Sequence, residues 1–513
     1  MGCVSSKYIL ADNTSTTVYS RQNRSSKRTD LPSCPSSSPS LLPAYPTDMK
    51  LDFSTEKEPV LEEPEGINHP KAALRKSYVE QLSKDFGADL KSRMVQNATH
   101  SLDFTTLITN RDVLARDTHV FNTKIPFECP VTDQKNSGRC WIFAALNVFR
   151  LEIMAKYKLD ELELSQGYLF FWDKFEKCNW FLECMIDLRD RDVNDRVVQH
   201  MLKLPVNDAG QWDMLVNLVE RYGVVPKYLY PETFSSSNTD NLNKLVLAKL
   251  RDHAVVLRRM AAQGHSLEDL RREKEASLKE IYTILCITLG EPPKGTFTWS
   301  FRNKDKKYYE FKNQTPQSFF KDHVNYPISE TLSLIHDPRN KPMALYTVQY
   351  LGNITGGRPI RYVNASIEDL KHLAIQKLKS GKPVWFGADV GKFMQRAAGV
   401  LDPKVFQYDL AFNVTFNMTK AERLIYGESM ITHAMVFTGV HLDDEGKAVR
   451  WRVENSWGSI GGDQGYVSMS DAWFTEFVYQ VVLEKSIVPQ KFLDVLQQPV
   501  HVFPAYDPMG ALA

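Results

Sequence analysis

Gln134 to Phe143 reads Gln-Lys-Asn-Ser-Gly-Arg-Cys-Trp-Ile-Phe, a polar, glycine-containing loop that runs into an apolar stretch. Trp141, Ile142, Phe143, Leu146, Phe149 and Ile153 recur at helical spacing, so Cys140 falls in the first turn of a buried amphipathic helix. There its sulfur feels the positive end of the macrodipole and the unpaired first-turn amides, which favour the nucleophilic thiolate over the thiol. Gln134, six positions earlier, can aim its side-chain amide at an oxyanion. With the Cys140 backbone N–H it would form an oxyanion hole.

A thiolate needs a proton partner. Far downstream, Ile431-Thr-His-Ala-Met-Val-Phe437 is a β-like apolar run broken by one histidine, His433. A lone histidine in an apolar strand is more often a satisfied core residue than a catalyst. The reading changes with Val453-Glu-Asn-Ser-Trp-Gly458, where Asn455 stands between a strand and a Trp-Gly turn. An amide there can fix the imidazole tautomer, and the ordered set Gln134, Cys140, His433, Asn455 requires four local contexts to agree.

On these segments the chain resembles the papain-type cysteine peptidases, and from about residue 66 onward it resembles the bleomycin hydrolase family. The resemblance implies that Cys140 is the nucleophile, His433 the general base, Asn455 its orienting amide and Gln134 the oxyanion glutamine, with Trp457 shielding the His–Asn bond. Unlike the secreted papains, the motif has no second cysteine just before the nucleophile, so no disulfide is expected there. The implied fold is α+β: a papain-like two-lobed fold, a helical lobe plus a β-rich lobe, with a large mainly helical insertion and a C-terminal arm reaching the active site. The implied activity is that of a cysteine-type aminopeptidase, a thiol protease that takes N-terminal residues from peptides and hydrolyses amides such as bleomycin. Such a nucleophile would also attack thiolactones. No cofactor and no metal is called for. An endopeptidase or a transglutaminase-like acyltransferase would use the same nucleophile; Asn455 as third member, in the Trp457 context, favours a peptidase.

Seven cysteines in 513 residues is an odd, sparse number without framework spacing, and the N-terminus has no secretory apolar region. Both point to a cytoplasmic enzyme, with Cys129, Cys178, Cys184 and Cys286 as reduced, mostly buried thiols. The net charge of +1 excludes a polyelectrolyte partner for the chain as a whole, though not for a local basic face. Met1-Gly-Cys-Val-Ser-Ser6 fits the N-myristoylation pattern at Gly2, and Cys3 can take a palmitoyl group. One acyl chain binds a bilayer marginally and two anchor it, so the pair predicts association with a membrane surface. A mitochondrial presequence is the alternative, since Arg21, Arg24, Lys27 and Arg28 lie among serines, with Asp12 and Asp30 against it. Initiation at Met49 would give an untethered form.

Five regions are expected. Residues 1–65, rich in Ser, Thr and Pro and then in Glu and Pro, read as a disordered tether. Residues 66–234 form the helical lobe: helical patterning runs through Tyr78, Val79, Leu82 and Phe86, Ser165 is the expected N-cap of an aromatic-rich helix, and another helix opens in the stretch from Ala209 to Leu215, in a segment that ends at Tyr222 to Pro226. Gly210 and Gln211 correspond to the Gly-containing strand that lines the substrate cleft in the papain-like fold. Residues 235–362 are the insertion, with Leu245, Leu250, Val255 and Leu257 among the apolar positions of its helical part. Its stretch from Lys294 to Lys321 interleaves Trp299, Phe301, Tyr308 and Tyr309 with basic residues, a composition that can hold single-stranded DNA or RNA by stacking and phosphate attraction, or can be a hairpin with its rings in the core. The resemblance implies a homohexamer with a basic central channel. Residues 363–495 are the β-rich lobe, with a helix over 366–378 and a strand over 382–389. Residues 496–513 read alone as an ordinary tail; the resemblance implies an arm in the cleft, whose Ala513 carboxylate would pair with a substrate α-ammonium and restrict cleavage to one residue at a time.

Overall fold

The structure, a computed structural model, describes residue 67 and residues 69–512. The expected tether over 1–65, with Gly2 and Cys3, lies outside the described residues, as does Ala513. The chain divides between Met94 and Val95 into two compact units. In the first, a helix over Lys76–Ala88 carries the expected apolar positions Tyr78, Val79, Leu82 and Phe86, all of them exposed.

The second unit is built around a helix over Cys140–Tyr157, in which 15 of the 18 residues are buried, Asn147 and Arg150 included. An amphipathic helix was the expectation. The helix is enclosed because sheet strands and two further helices, Gln166–Asp187 and Trp212–Tyr222, all pack on it, and its sequence is apolar nearly all round. The Ser165 side chain accepts from the Tyr168 N–H and caps the second helix as expected. The third stops at Gly223, where φ is +67° and a Cβ would come 2.2 Å from the Pro316 carbonyl carbon, so only glycine fits.

In the insertion, helices over Asp240–Ala262 and Leu267–Leu289 pack on each other and on Gln166–Asp187. The buried face is Leu242, Val246, Leu250 and Leu257, spaced by four and seven; of the other apolar positions, Leu245 and Val255 are exposed. A two-stranded hairpin follows, Phe297–Arg302 against Tyr308–Gln314. Alternation turns Trp299, Phe301, Tyr309 and Phe311 onto Tyr157, within 5.5 to 5.6 Å between ring centres, and leaves Arg302 and Tyr308 outside. Of the four rings in this stretch, Trp299, Phe301 and Tyr309 thus pack toward the core, as in the hairpin alternative, and Tyr308 stays exposed.

Among the described residues twelve strands form one mixed sheet. Its centre is an antiparallel ladder of Thr331–Ile335, Val478–Glu484, Val384–Ala388, His433–Leu442, Ala448–Glu454 and Tyr466–Ser470, side by side in that order. Thr331–Ile335, Leu345–Val348 and Tyr362–Asn364 belong to this sheet, so strand-rich structure begins at Thr331, inside the region read as insertion. Val384–Ala388 and nearly all of His433–Leu442 are buried, because the Cys140 helix and the helix Ile367–Lys379, capped by Ser366, both cover them. Burial of both faces gives strands that read as continuous apolar runs. At the C-terminal end Val500–Phe503 pairs in parallel with Leu345–Val348, Asp507 pairs with Arg339 at 2.9 Å, and Met509 is buried.

Candidate active site

Cys140 is the first residue of its helix and is 2% exposed. Arg139, at the N-cap, supplies no side-chain acceptor that competes for the first-turn amides, so the positive end of the helix is directed at the residues around the thiol. The Arg139 guanidinium is buried, lies about 5 Å over the Phe143 and Phe170 rings, and is neutralised by Glu232 at 2.7 Å.

Two segments more than 300 residues apart meet here. The Gln134 N–H donates to the Ser456 carbonyl at 2.9 Å, the Gly458 N–H donates to the Thr132 carbonyl at 3.0 Å, and Asp133 bridges to Trp457. Gln134 is buried; its Nε2 donates to the Ser137 carbonyl at 2.7 Å. An amide nitrogen carries two hydrogens, so one remains for a further acceptor.

His433 begins its strand and Asn455 directly follows the neighbouring one. His433 Nε2 lies 2.9 Å from Asn455 Oδ1. The Ser456 N–H donates to the same oxygen at 2.8 Å, which identifies that end of the amide as the acceptor. Nε2 must then carry the hydrogen, and Nδ1 is the nitrogen left for proton exchange. The Trp457 ring covers the imidazole at 4.9 Å between centres. Burial pushes His433 down to about 4; the bond to Asn455 opposes the shift and the charge of Arg396 reinforces it. An imidazolium here therefore has to be held by an anion brought against it, and the thiolate of an ion pair with Cys140 would be that anion.

The wall beside Cys140 is extended, irregular chain rather than a sheet strand, and it contains Gly210 and Gln211. A Cβ at Gly210 would fall 2.5 Å from the Trp141 ring. Gln211 is fully buried, and its Nε2 donates to the Ala511 carbonyl at 2.8 Å, so the C-terminal segment touches this wall.

Four buried charges that sequence reasoning missed hold this wall from behind. Asp208 accepts from Lys174 Nζ at 2.6 Å, from the Thr239 hydroxyl at 2.5 Å and from the Gly138 N–H at 3.3 Å, while its carbonyl accepts from Trp141 Nε1 at 2.8 Å. Burial alone would raise its carboxyl, but the Lys174 ammonium and these bonds keep it well below the carboxylate range. Lys177 pairs with Asp173 at 2.6 Å and donates to the Ala209 carbonyl at 2.6 Å. The available signal was Asp173, Lys174 and Lys177 embedded in an otherwise aromatic helix. Of the other described cysteines, Cys129, Cys178 and Cys184 are buried with thiols raised by burial, the last two to about 12, and Cys286 is partly exposed. Among the described residues no group of three metal-ligating side chains is present, and no helix is long and apolar enough to cross a membrane.

A buried cysteine opening a central helix, packed against a sheet that ends in a His–Asn pair, is the arrangement of the papain-like cysteine peptidases. The chain belongs to the Peptidase C1-like family, whose model matches residues 73–510, and it is a cysteine peptidase. It is 44% identical to the bleomycin hydrolase of Mus musculus over 86% of this chain and 99% of that one. It is 41% identical to the aminopeptidase C of Streptococcus thermophilus over the same shares. Among solved structures it is similar to pepW from Lactobacillus rhamnosis HN001, with a TM-score of 0.84 and 44% identity over 86% of this chain and 100% of that one.

Proposed function

We propose that the chain is a cysteine aminopeptidase in which Cys140 attacks the carbonyl after the first residue of a peptide. The thiolate forms a bond to that carbon, and the oxyanion accepts from the Cys140 N–H and the second hydrogen of Gln134 Nε2. His433, aligned through Nε2 by Asn455, delivers its Nδ1 proton to the departing amine as the C–N bond breaks. Water then gives a proton to Nδ1 and attacks the thioester, which releases the acid and restores the thiolate. The observation that carries the exopeptidase reading is the Gln211–Ala511 hydrogen bond. It sets the C-terminal segment against the wall next to Cys140, where that segment would block the path of any chain extending beyond the substrate's first residue. The names of the bleomycin hydrolase and aminopeptidase C relatives support the same reading, and small amides such as bleomycin and thiolactones fit the same chemistry.

Hydrolysis of an aminoacyl aryl amide that vanishes in Cys140→Ala, with the folded state intact by circular dichroism, is the outcome expected; activity surviving the substitution removes the proposal. The homohexamer is carried by the family resemblance and is tested by light scattering. Acylation at Gly2 and Cys3 is tested by mass spectrometry of the N-terminal peptide. For single-stranded nucleic acid the support is limited to exposed basic residues around the hairpin turn, such as Arg302, Lys306 and Lys307. Its test is salt-dependent binding that survives Cys140→Ala.

A further inference from the structure

Arg396 sits at the tip of a short hairpin in which Met394–Gln395 pairs with Val400–Leu401. The tip is held from several sides. The Gly399 N–H donates to the Arg396 carbonyl at 3.2 Å, the Ala398 N–H to Gln395 Oε1 at 2.8 Å, and the Gly462 N–H to the Ala397 carbonyl at 3.2 Å. Gly461, at φ +88°, lies so close that a Cβ would come 2.5 Å from the Arg396 carbonyl oxygen. On this fixed tip the guanidinium lies 4.9 Å over the Trp457 ring, and Trp457 in turn lies 4.9 Å from the His433 ring. Arg396 is exposed, and among the described residues no carboxylate pairs with it. Every other guanidinium or ammonium around the site is neutralised: Arg139 by Glu232, Lys174 by Asp208, Lys177 by Asp173.

The direction of the reaction says which part of a substrate meets this cation. His433 gives its proton to the leaving nitrogen, so the residue that follows the scissile bond has to lie over the imidazole and the Trp457 face. The two 4.9 Å contacts put the guanidinium within about 10 Å of the imidazole centre. One residue of extended chain spans roughly 3.5 Å, so a carboxylate borne by that first leaving residue falls within reach of the guanidinium fork. A guanidinium placed over an aromatic ring still has edge N–H groups free to take a carboxylate with two parallel hydrogen bonds.

We propose that Arg396, backed by Trp457, is the binding site for a carboxylate on the first residue of the leaving group. The site rests on the catalytic reading above and extends it to a substrate class: short peptides whose second residue bears a negative charge, as the free C-terminus of a dipeptide or as an acidic side chain in a longer chain. It gives the enzyme a preference for the last peptide bond of a dipeptide, where the carboxylate is always present. The same cation weakens the proton affinity of His433 while the site is empty. A bound carboxylate cancels that charge, so substrate and proton-donating imidazole favour each other.

The test compares kcat/KM within one enzyme, so that a general change in turnover cancels. Two pairs are used: a dipeptide against its C-terminal amide, and a dipeptide amide with Glu in second place against its Gln twin. The wild type is expected to favour the charged member of each pair by roughly fivefold, the upper range for a solvent-facing charge pair, and the ratio is expected to fall to near one in Arg396→Gln. Arg396→Lys, which keeps the charge and loses the fork, is expected to retain part of it. Loss of the ratio in the first pair only would assign the site to the chain terminus, and in the second only to an acidic side chain. A ratio near one in the wild type, or an unchanged ratio in Arg396→Gln, overturns the proposal. Neither outcome touches the catalytic reading, which stands or falls with Cys140→Ala on an aryl amide that bears no carboxylate.

Discussion

Arg150, on the helix that begins at Cys140, donates to Glu454, the residue before Asn455, at 2.6 Å, with both side chains buried. The helix that aims the thiol and the strand that ends in the imidazole's partner are thus joined directly. Arg150 also donates to the Pro130 carbonyl at 2.9 Å, at the root of the Gln134 loop. Thr132 reinforces the junction, with its hydroxyl 3.1 Å from the Asn147 amide of the same helix.

Removal of one member of this pair leaves the other charge buried. Glu454→Gln or Arg150→Met is expected to lower stability by about 3 to 5 kcal/mol, read as a shift of the urea midpoint. The double replacement is expected to recover part of the loss, because no lone charge remains. Additive losses would show that the two residues act separately.

Gln134→Ala removes one of the two proposed oxyanion donors. The expected result is a fall in kcat of about 100-fold with little change in KM, since the donor is asked to act on charge that develops only in the transition state. A change confined to KM would assign Gln134 to ground-state binding instead.

Burial holds two histidines away from the thiol, His323 and His336, down at about 4 against an ordinary value of 6.5. Between these values the unfolded chain binds protons that the folded chain does not, so the unfolding free energy rises with pH across this window. The contribution is complete above pH 6.5 and is lost as pH falls toward 4. Urea midpoints between pH 7 and pH 4.5 should therefore drop steadily. His323→Phe, in the aromatic surroundings of Trp299, Phe311 and Phe319, should reduce that slope. A flat profile would mean these imidazoles are charged in the folded state.

Gln211→Met keeps the length of the side chain and removes the donor to Ala511. A hydrogen bond of this kind is worth about 1 kcal/mol, so the C-terminal segment should loosen and hydrolysis of N-blocked substrates should rise relative to free-amine substrates by roughly fivefold. An unchanged ratio would separate the segment from substrate selection.

Gln134, Cys140, His433 and Asn455 were legible because each sits in a short local pattern: a loop before an apolar helix, one imidazole in an apolar run, an amide before a Trp-Gly turn. Their supports were not. Asp208, Lys174, Lys177, Asp173, Arg150 and Glu454 are charged residues that read as surface, and only packing in the folded chain makes them internal. The helical part of the insertion was visible, but its buried face was not, because apolar residues such as Leu245 and Val255 also occur on the exposed side of the helix. The hairpin carried its own answer in the alternation of Phe297, Trp299 and Phe301, which is the period of a strand with one face in the core.

The central claim is a Cys140 aminopeptidase whose reach is limited by the C-terminal segment. The measurement that tests it most directly is the hydrolysis, by the intact chain, of an aminoacyl reporter amide with a free α-amine beside its N-acetylated twin. Cleavage of the free-amine compound alone, abolished in Cys140→Ala, is the predicted result. Equal cleavage of both would leave a thiol peptidase with an open cleft, and cleavage that persists in Cys140→Ala would contradict the account altogether.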